Sequence, residues 1–199
     1  MRVATFNILH GRSPSDDRVD VERFAEAVRA LDADVLALQE VDRNQPRSGH
    51  ADLTAVAAEA MGAADSLFVA ALAGTPGSTW VAATGEEQPD AAAYGIALLS
   101  RHPVTAWQIV RLGRPPVRVP MWFPGSRRPE LVGDLNMGPS KAGSISGLRA
   151  LVTEATFPAP APREQIDHIL ARGVVGEATS GGAHQLPLSD HRALFVDLA

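Results

Sequence analysis

Asp20-Val21-Glu22-Arg23-Phe24-Ala25-Glu26-Ala27-Val28-Arg29-Ala30-Leu31-Asp32-Ala33-Asp34-Val35-Leu36-Ala37-Leu38-Gln39-Glu40 holds a complete passage from helix to strand. Val21, Phe24, Ala25, Val28 and Leu31 recur at helical spacing, and Asp20 stands where a carboxylate caps the first turn. Val35-Leu36-Ala37-Leu38 is too short and too uniformly apolar for a second helix and reads as a buried strand. That strand runs directly into a carboxylate, Glu40. The passage predicts an α/β fold whose strands deliver polar groups at their ends.

The same grammar extends outward. Residues 2–6 read as a strand that ends at Asn7. Leu53, Val56, Ala57, Ala60 and Met61 predict a second amphipathic helix, with Gly62 as its stop. Strands are expected at 67–71, 79–83, 96–100 and 104–110, separated by Gly, Pro and acidic turns. A third helix is expected after Asn136, with Ile145, Leu148, Leu151, Val152 and Ala155 on one face, and two late strands at 165–171 and 192–198. With no repeat and no linker tract, 1–199 reads as one domain. Helices mixed with hairpin-like neighbours favour an α/β sandwich over a purely parallel sheet.

Composition excludes several classes. The chain has 199 residues, 45% hydrophobic and 21% charged, with 18 Lys+Arg against 23 Asp+Glu and a net charge of −5. That length supports a sizeable core, and that balance argues against binding nucleic acid by bulk charge. No window approaches the ~20 apolar residues of a transmembrane segment. The absence of cysteine removes disulfides, Cys-ligated zinc and a thiol nucleophile. Thr5, Asn7 and His10 interrupt any apolar leader, so a cytoplasmic location is the default expectation.

One stretch departs from the acidic average. Residues 91–129 hold no acidic side chain, while Arg101, Arg111, Arg114, Arg118, Arg127 and Arg128 accumulate among prolines. It is either a proline-stiffened loop with solvated arginines or a basic lip, with Arg127 and Arg128 binding an anionic substrate. Trp107, Trp122 and Phe123 could stack a base or touch acyl chains there, or simply pack.

Polar groups stand at the ends of several apolar runs: Asn7, Glu40, Asp134 with Asn136, Asp167 with His168, and Asp190 with His191. A carboxylate buried alone at a strand end costs several kcal/mol and needs a cation, a donor or water. Each has an ordinary explanation singly. Glu40 or Asp190 can be a solvated turn or cap, Asp167-His168 a structural pair, and Gly133-Asp134-Leu135-Asn136 a tight turn.

Taken in order, Asn7, Leu38-Gln39-Glu40-Val41-Asp42, Tyr94-Gly95-Ile96-Ala97-Leu98-Leu99-Ser100-Arg101, Gly133-Asp134-Leu135-Asn136, Ile166-Asp167-His168-Ile169 and Ser189-Asp190-His191 resemble the endonuclease/exonuclease/phosphatase family of metal-dependent phosphoesterases. The resemblance implies a four-layer α/β sandwich of the DNase I-like type, two mixed sheets face to face with helices outside. It implies Mg²⁺, with Mn²⁺ as the alternative, held by Glu40 and Asn7 with Asp190 close by. Asp134 and Asn136 match the pair that orients the attacking water and holds phosphate. His191 matches the catalytic histidine and Asp167 the carboxylate that orients it; His168 is a candidate substrate contact. The expected substrate is a phosphate ester, whether a small phosphodiester, a lipid head group or nucleic acid, and the expected state is a monomer. A relative that keeps the fold for binding alone is the competing reading.

The likeness breaks at 130–133. In the family, further strands, a phosphate-contacting His or Tyr and a helix precede Gly-Asp-x-Asn; here Arg127-Arg128-Pro129-Glu130 runs almost directly into it. Either the protein lacks a central piece or residues are missing from the sequence at that join. The second is the expectation, because losing central strands exposes apolar surface and unpaired edges.

Overall fold

The computed structural model describes residues 1–78, 80–109, 130–173 and 175–199. The first part runs β1 (Arg2–Asn7), β2 (Arg12–Ser13), β3 (Arg18–Val19), α1 (Val21–Leu31), β4 (Val35–Arg43), α2 (Leu53–Met61), β5 (Asp65–Gly74), β6 (Trp80–Ala82) and β7 (Ala93–Ser100). The second runs β8 (Glu130–Asp134), α3 (Pro139–Ser146), β9 (Arg149–Ala150), β10 (Asp167–Ala171), β11 (Ala178–His184) and β12 (Ala193–Leu198). Seven strands form a mixed sheet in the order β11-β12-β1-β4-β7-β5-β6, with β1 parallel to β4. A second sheet, β8-β10-β9, is antiparallel among the described residues.

The two-residue period of the strands sorts their side chains into layers. On β1, Ala4 and Phe6 face the helices and pack with Phe24, Val28 and Leu31 of α1 and with Leu36 and Leu38 of β4. Val3 faces the other way, against Ile169 of β10, Val132 of β8 and Leu194 and Val196 of β12. A third cluster joins Leu170 to Ala142 and Leu148 on the far side of the small sheet. The order is therefore α1 and α2, large sheet, small sheet, α3: a four-layer sandwich. Each large aliphatic or aromatic side chain sealed in these layers contributes about 1.5–3 kcal/mol.

Local signals explain most boundaries. The Asp20 side chain accepts from the Arg23 N–H at the start of α1, and Gly62 closes α2 in the left-handed conformation at φ 67°. The third helix ends earlier than the apolar spacing predicts, because Gly147 terminates it at φ 66°. Leu148 and Val152 belong instead to two separate clusters beyond it. No strand forms at 103–109, so the strand expected at 104–110 is absent over its described part.

The residues at the join fall in regular structure. Glu130–Asp134 is one unbroken strand whose residues pair in register with β10, from Glu130↔Ala171 to Asp134↔Asp167. On the large sheet, Ile96 (53% exposed) and Leu98 (39%) of β7 face the small-sheet side. The arginines at 127 and 128, with Trp122 and Phe123, lie outside the described residues.

Candidate active site

Four strands and one turn meet at one end of the seam between the sheets. β4 brings Glu40 there by means of a bulge. Its pairing with β7 slips between Leu38 and Val41, and Glu40 takes the left-handed φ of 59°. Non-glycine residues rarely hold that conformation, and bulges of this kind re-aim a side chain. Asn7, the last residue of β1, is 1% exposed. Its amide Nδ2 donates to Glu40 Oε1 at 3.0 Å and to Asp134 Oδ2 at 3.1 Å, while Oδ1 accepts from the Leu9 N–H at 3.1 Å. One amide thus ties a carboxylate of the large sheet to one of the small sheet.

Asp134 ends β8 directly opposite Asp167 at the start of β10. Asn136, at φ 50°, turns back so that its backbone N–H reaches Asp134 Oδ1 at 2.8 Å and its amide reaches Oδ2 at 3.2 Å. Asp167 is fully buried, and its Oδ2 accepts from His191 Nδ1 at 2.9 Å. That bond places the proton on Nδ1 and leaves Nε2 aimed at Asp134 Oδ2, 4.0 Å away. Burial pulls the His191 pKa down, but the hydrogen bond and charge of Asp167, with Asp134 and Asp190, outweigh it and leave it raised. Phe157 backs the imidazole, with ring centroids 5.1 Å apart.

The donor set suits a hard divalent cation. Ligand atoms of Asp134, Asp167 and His191 all lie within 4.8 Å of one another. Asp167 Oδ1 is buried with no hydrogen-bond partner among the described residues. Glu40 adds a third carboxylate through Asn7, so the pocket carries more negative charge than one imidazolium offsets. Excess carboxylate oxygen in a sheltered place is stabilised by a bound cation.

Asn7, Glu40, Asp134, Asn136, Asp167 and His191 therefore converge. Asp190 flanks His191 closely enough for its charge to favour the imidazolium, yet it lies outside the trio that shares 4.8 Å. His168 is a correction. It is fully buried, and its Nε2 lies 2.7 Å from the Met137 carbonyl oxygen. Neighbouring strand residues point to opposite faces, so the placement that turns Asp167 inward turns His168 toward the α3 side, away from the face Asp167 presents.

Two further groups complete the site. Ser189 Oγ donates to the Asn7 carbonyl oxygen at 2.6 Å and accepts from the His191 N–H at 3.1 Å, fastening the Asp190-His191 turn to β1. Tyr94 lies beside Glu40; burial and that neighbouring carboxylate raise its pKa. Their positions in the Ser-Asp-His and Tyr-Gly runs were the only signal for either.

The chain belongs to the endonuclease/exonuclease/phosphatase family, whose model matches residues 4–191. Its fold is shared with an endonuclease/exonuclease/phosphatase from Beutenbergia cavernae, at TM-score 0.71 and 22% identity over 100% of this chain and 71% of that one. A mannosyl-6-phosphatase from Bacteroides thetaiotaomicron matches at TM-score 0.57 and 14% identity, covering 100% of this chain and 99% of that one. Truncated Caenorhabditis elegans TDP2 matches at TM-score 0.57 and 14% identity, over 98% and 96%. No curated protein matches the sequence. Among the described residues no helix is long and apolar enough to cross a membrane.

Proposed function

We propose that the protein is a Mg²⁺-dependent phosphoesterase, Mn²⁺ serving as the alternative ion, that hydrolyses a phosphodiester or phosphomonoester by direct attack of water. The observation that carries this reading is the bridge from Glu40 through Asn7 to Asp134, set against the Asp134, Asp167 and His191 cluster.

Glu40 and Asn7, with Asp190 nearby, would hold the cation. When bound, that ion supplies charge neutralisation at the phosphate oxygens. The remaining steps fall to this chain's own side chains. Asp134 Oδ2 faces the pocket and can fix the direction of a water and accept its proton. The Asn136 amide, folded back on Asp134, is placed to hold a phosphate oxygen and keep the ester in line with that water. Asp167 holds His191 in one tautomer and favours its protonated form, so Nε2 can donate toward a phosphate oxygen as charge builds there. With no serine or lysine nucleophile motif in the site, a covalent intermediate is not required.

A binding-only relative is the second reading, favoured by the exposed apolar side chains Ile96 and Leu98 on the small-sheet side of β7. One assay separates the two. Release of p-nitrophenol from bis(p-nitrophenyl) phosphate should require added Mg²⁺ or Mn²⁺, stop with EDTA, and fall about 10²–10⁴-fold in Asp134→Asn. EDTA-insensitive release counts against the metal and the mechanism; no release from any phosphate ester favours the binding-only reading.

A further inference from the structure

Beside Glu40, on the flank away from His191, lies an ion pair that the chemistry above does not use. Asp42, two residues beyond Glu40 on β4, is fully buried. Arg47, carried on a short helical turn at Pro46–Ser48, grips it side-on, with Nε to Oδ2 at 2.8 Å and Nη2 to Oδ1 at 2.7 Å. The turn is anchored by buried Gln45, whose amide donates to the Gly74 and Ala93 carbonyl oxygens at 2.8 and 3.2 Å. Tyr94 sits opposite Asp42 in the β4–β7 register and beneath the guanidinium, 5.5 Å from ring centroid to Cζ. The same tyrosine lies near enough to Glu40 for that carboxylate to raise its pKa. Tyr94 therefore neighbours both Arg47 and Glu40.

Two features distinguish this arrangement from a plain structural clamp. Asp42 occupies Nε and Nη2, while Nη1 makes no hydrogen bond among the described residues, and the Arg47 side chain is 34% exposed. A guanidinium held rigidly from behind, with one N–H₂ face outward, is preorganised to receive a phosphate at little entropic cost. His10 lies close by. Burial and then the Arg47 charge lower its pKa.

We propose that Arg47 is a specificity-determining residue that receives a second phosphate of the substrate, so that preferred substrates carry a phosphate besides the one hydrolysed. The inference rests on the phosphoesterase reading for where the scissile phosphate sits. Its test is nevertheless a binding measurement, independent of turnover.

Titration calorimetry of the full chain in Mg²⁺ compares adenosine 3′,5′-bisphosphate with adenosine 5′-monophosphate. The wild type should bind the bisphosphate at least about tenfold more tightly, as expected for a charge-assisted contact. Arg47→Ala should reduce the preference to about threefold or less. Because that change strands a buried carboxylate, Asp42→Asn/Arg47→Ala removes both charges, and Arg47→Lys keeps charge without the outward fork. Both should lose the preference while melting cooperatively. A wild type without the preference, or a folded variant that retains it, overturns the proposal. Failure of the wild type to hydrolyse any phosphate ester, diester or monoester, instead contradicts the phosphoesterase reading, and leaves the binding ratio to be judged by itself.

Discussion

The large sheet presents Asn7 and Glu40 on strands hydrogen-bonded on both sides and backed by two helices, whereas the small sheet presents Asp134 and Asp167 with, among the described residues, α3 alone behind it. On the helix side of the large sheet, Phe6, Phe24, Leu31, Leu36 and Leu38 are at most 1% exposed. The small sheet's outer layer amounts to Ala142, Leu148 and Leu170 with Leu135 and Met137 against them. One half of the site is thus set in a thick core, and the other is held chiefly by the seam that Val3, Val132, Ile169, Leu194 and Val196 form between the sheets. Stability resides mainly on one side of the molecule, and alignment of the site depends on the other.

The largest effect should come from joining the two halves in a double-mutant cycle. Glu40→Gln and Asp134→Asn should each lower kcat/KM for bis(p-nitrophenyl) phosphate by about 10²–10⁴-fold. If both serve one site, the double variant should be little worse than the poorer single one. Losses that multiply would break the claim that the sheets share a site.

Next come two core truncations chosen for contrast. Phe24→Ala, on the helix side, should cost about 3–5 kcal/mol by denaturant unfolding, with kcat per folded molecule nearly unchanged. Ile169→Ala, in the seam, should cost about 2–4 kcal/mol. It should also lower kcat about tenfold or more in the folded enzyme, because small displacements of reacting groups are expensive. Equal effects on kcat would erase the distinction between the halves.

Smaller again is Ser189→Ala. Losing the bonds to Asn7 and His191 should cost about 1 kcal/mol and lower kcat more than it raises KM. The smallest effect lies at the opposite end of β1 from Asn7, where Arg2 pairs with Asp197. Asp197 is paired with Arg2 at 2.8 Å and bonded to Ser180, which hold its carboxyl at about 2, below the ordinary 3.8. A depressed carboxyl stabilises the fold above the higher value, and that contribution fades as pH falls toward the lower one. Asp197→Asn should therefore cost under about 1 kcal/mol at neutral pH and nothing measurable near pH 2, by melts across that range.

The same contrast explains what the sequence disclosed. On the helix-backed half, local chemistry decides: Asp20 caps, Gly62 stops, and the strands alternate or run apolar. Site residues there stand at strand ends, where polarity is conspicuous, so Asn7 and Glu40 could be read directly. The seam half depends on long-range packing. β11, with Thr-Ser-Gly-Gly at its centre, lacks the composition of a strand; yet a Cβ at Gly181 would lie 3.0 Å from Val152 Cγ2 and 3.2 Å from the Phe195 carbonyl oxygen. His168 shows the converse. Its place beside Asp167 suggested a shared role, although strand alternation already sends neighbours to opposite faces. The Arg47–Asp42–Tyr94 surface was illegible because its members meet only once β4 and β7 pair.

The most direct measurement is anomalous diffraction from crystals of the full chain soaked in Mn²⁺. The account predicts a single strong manganese peak at the seam, in contact with the Glu40 carboxylate and on the same side as Asp134, Asp167 and His191. A peak elsewhere on the molecule, or none beside Glu40 at saturating Mn²⁺, would contradict it.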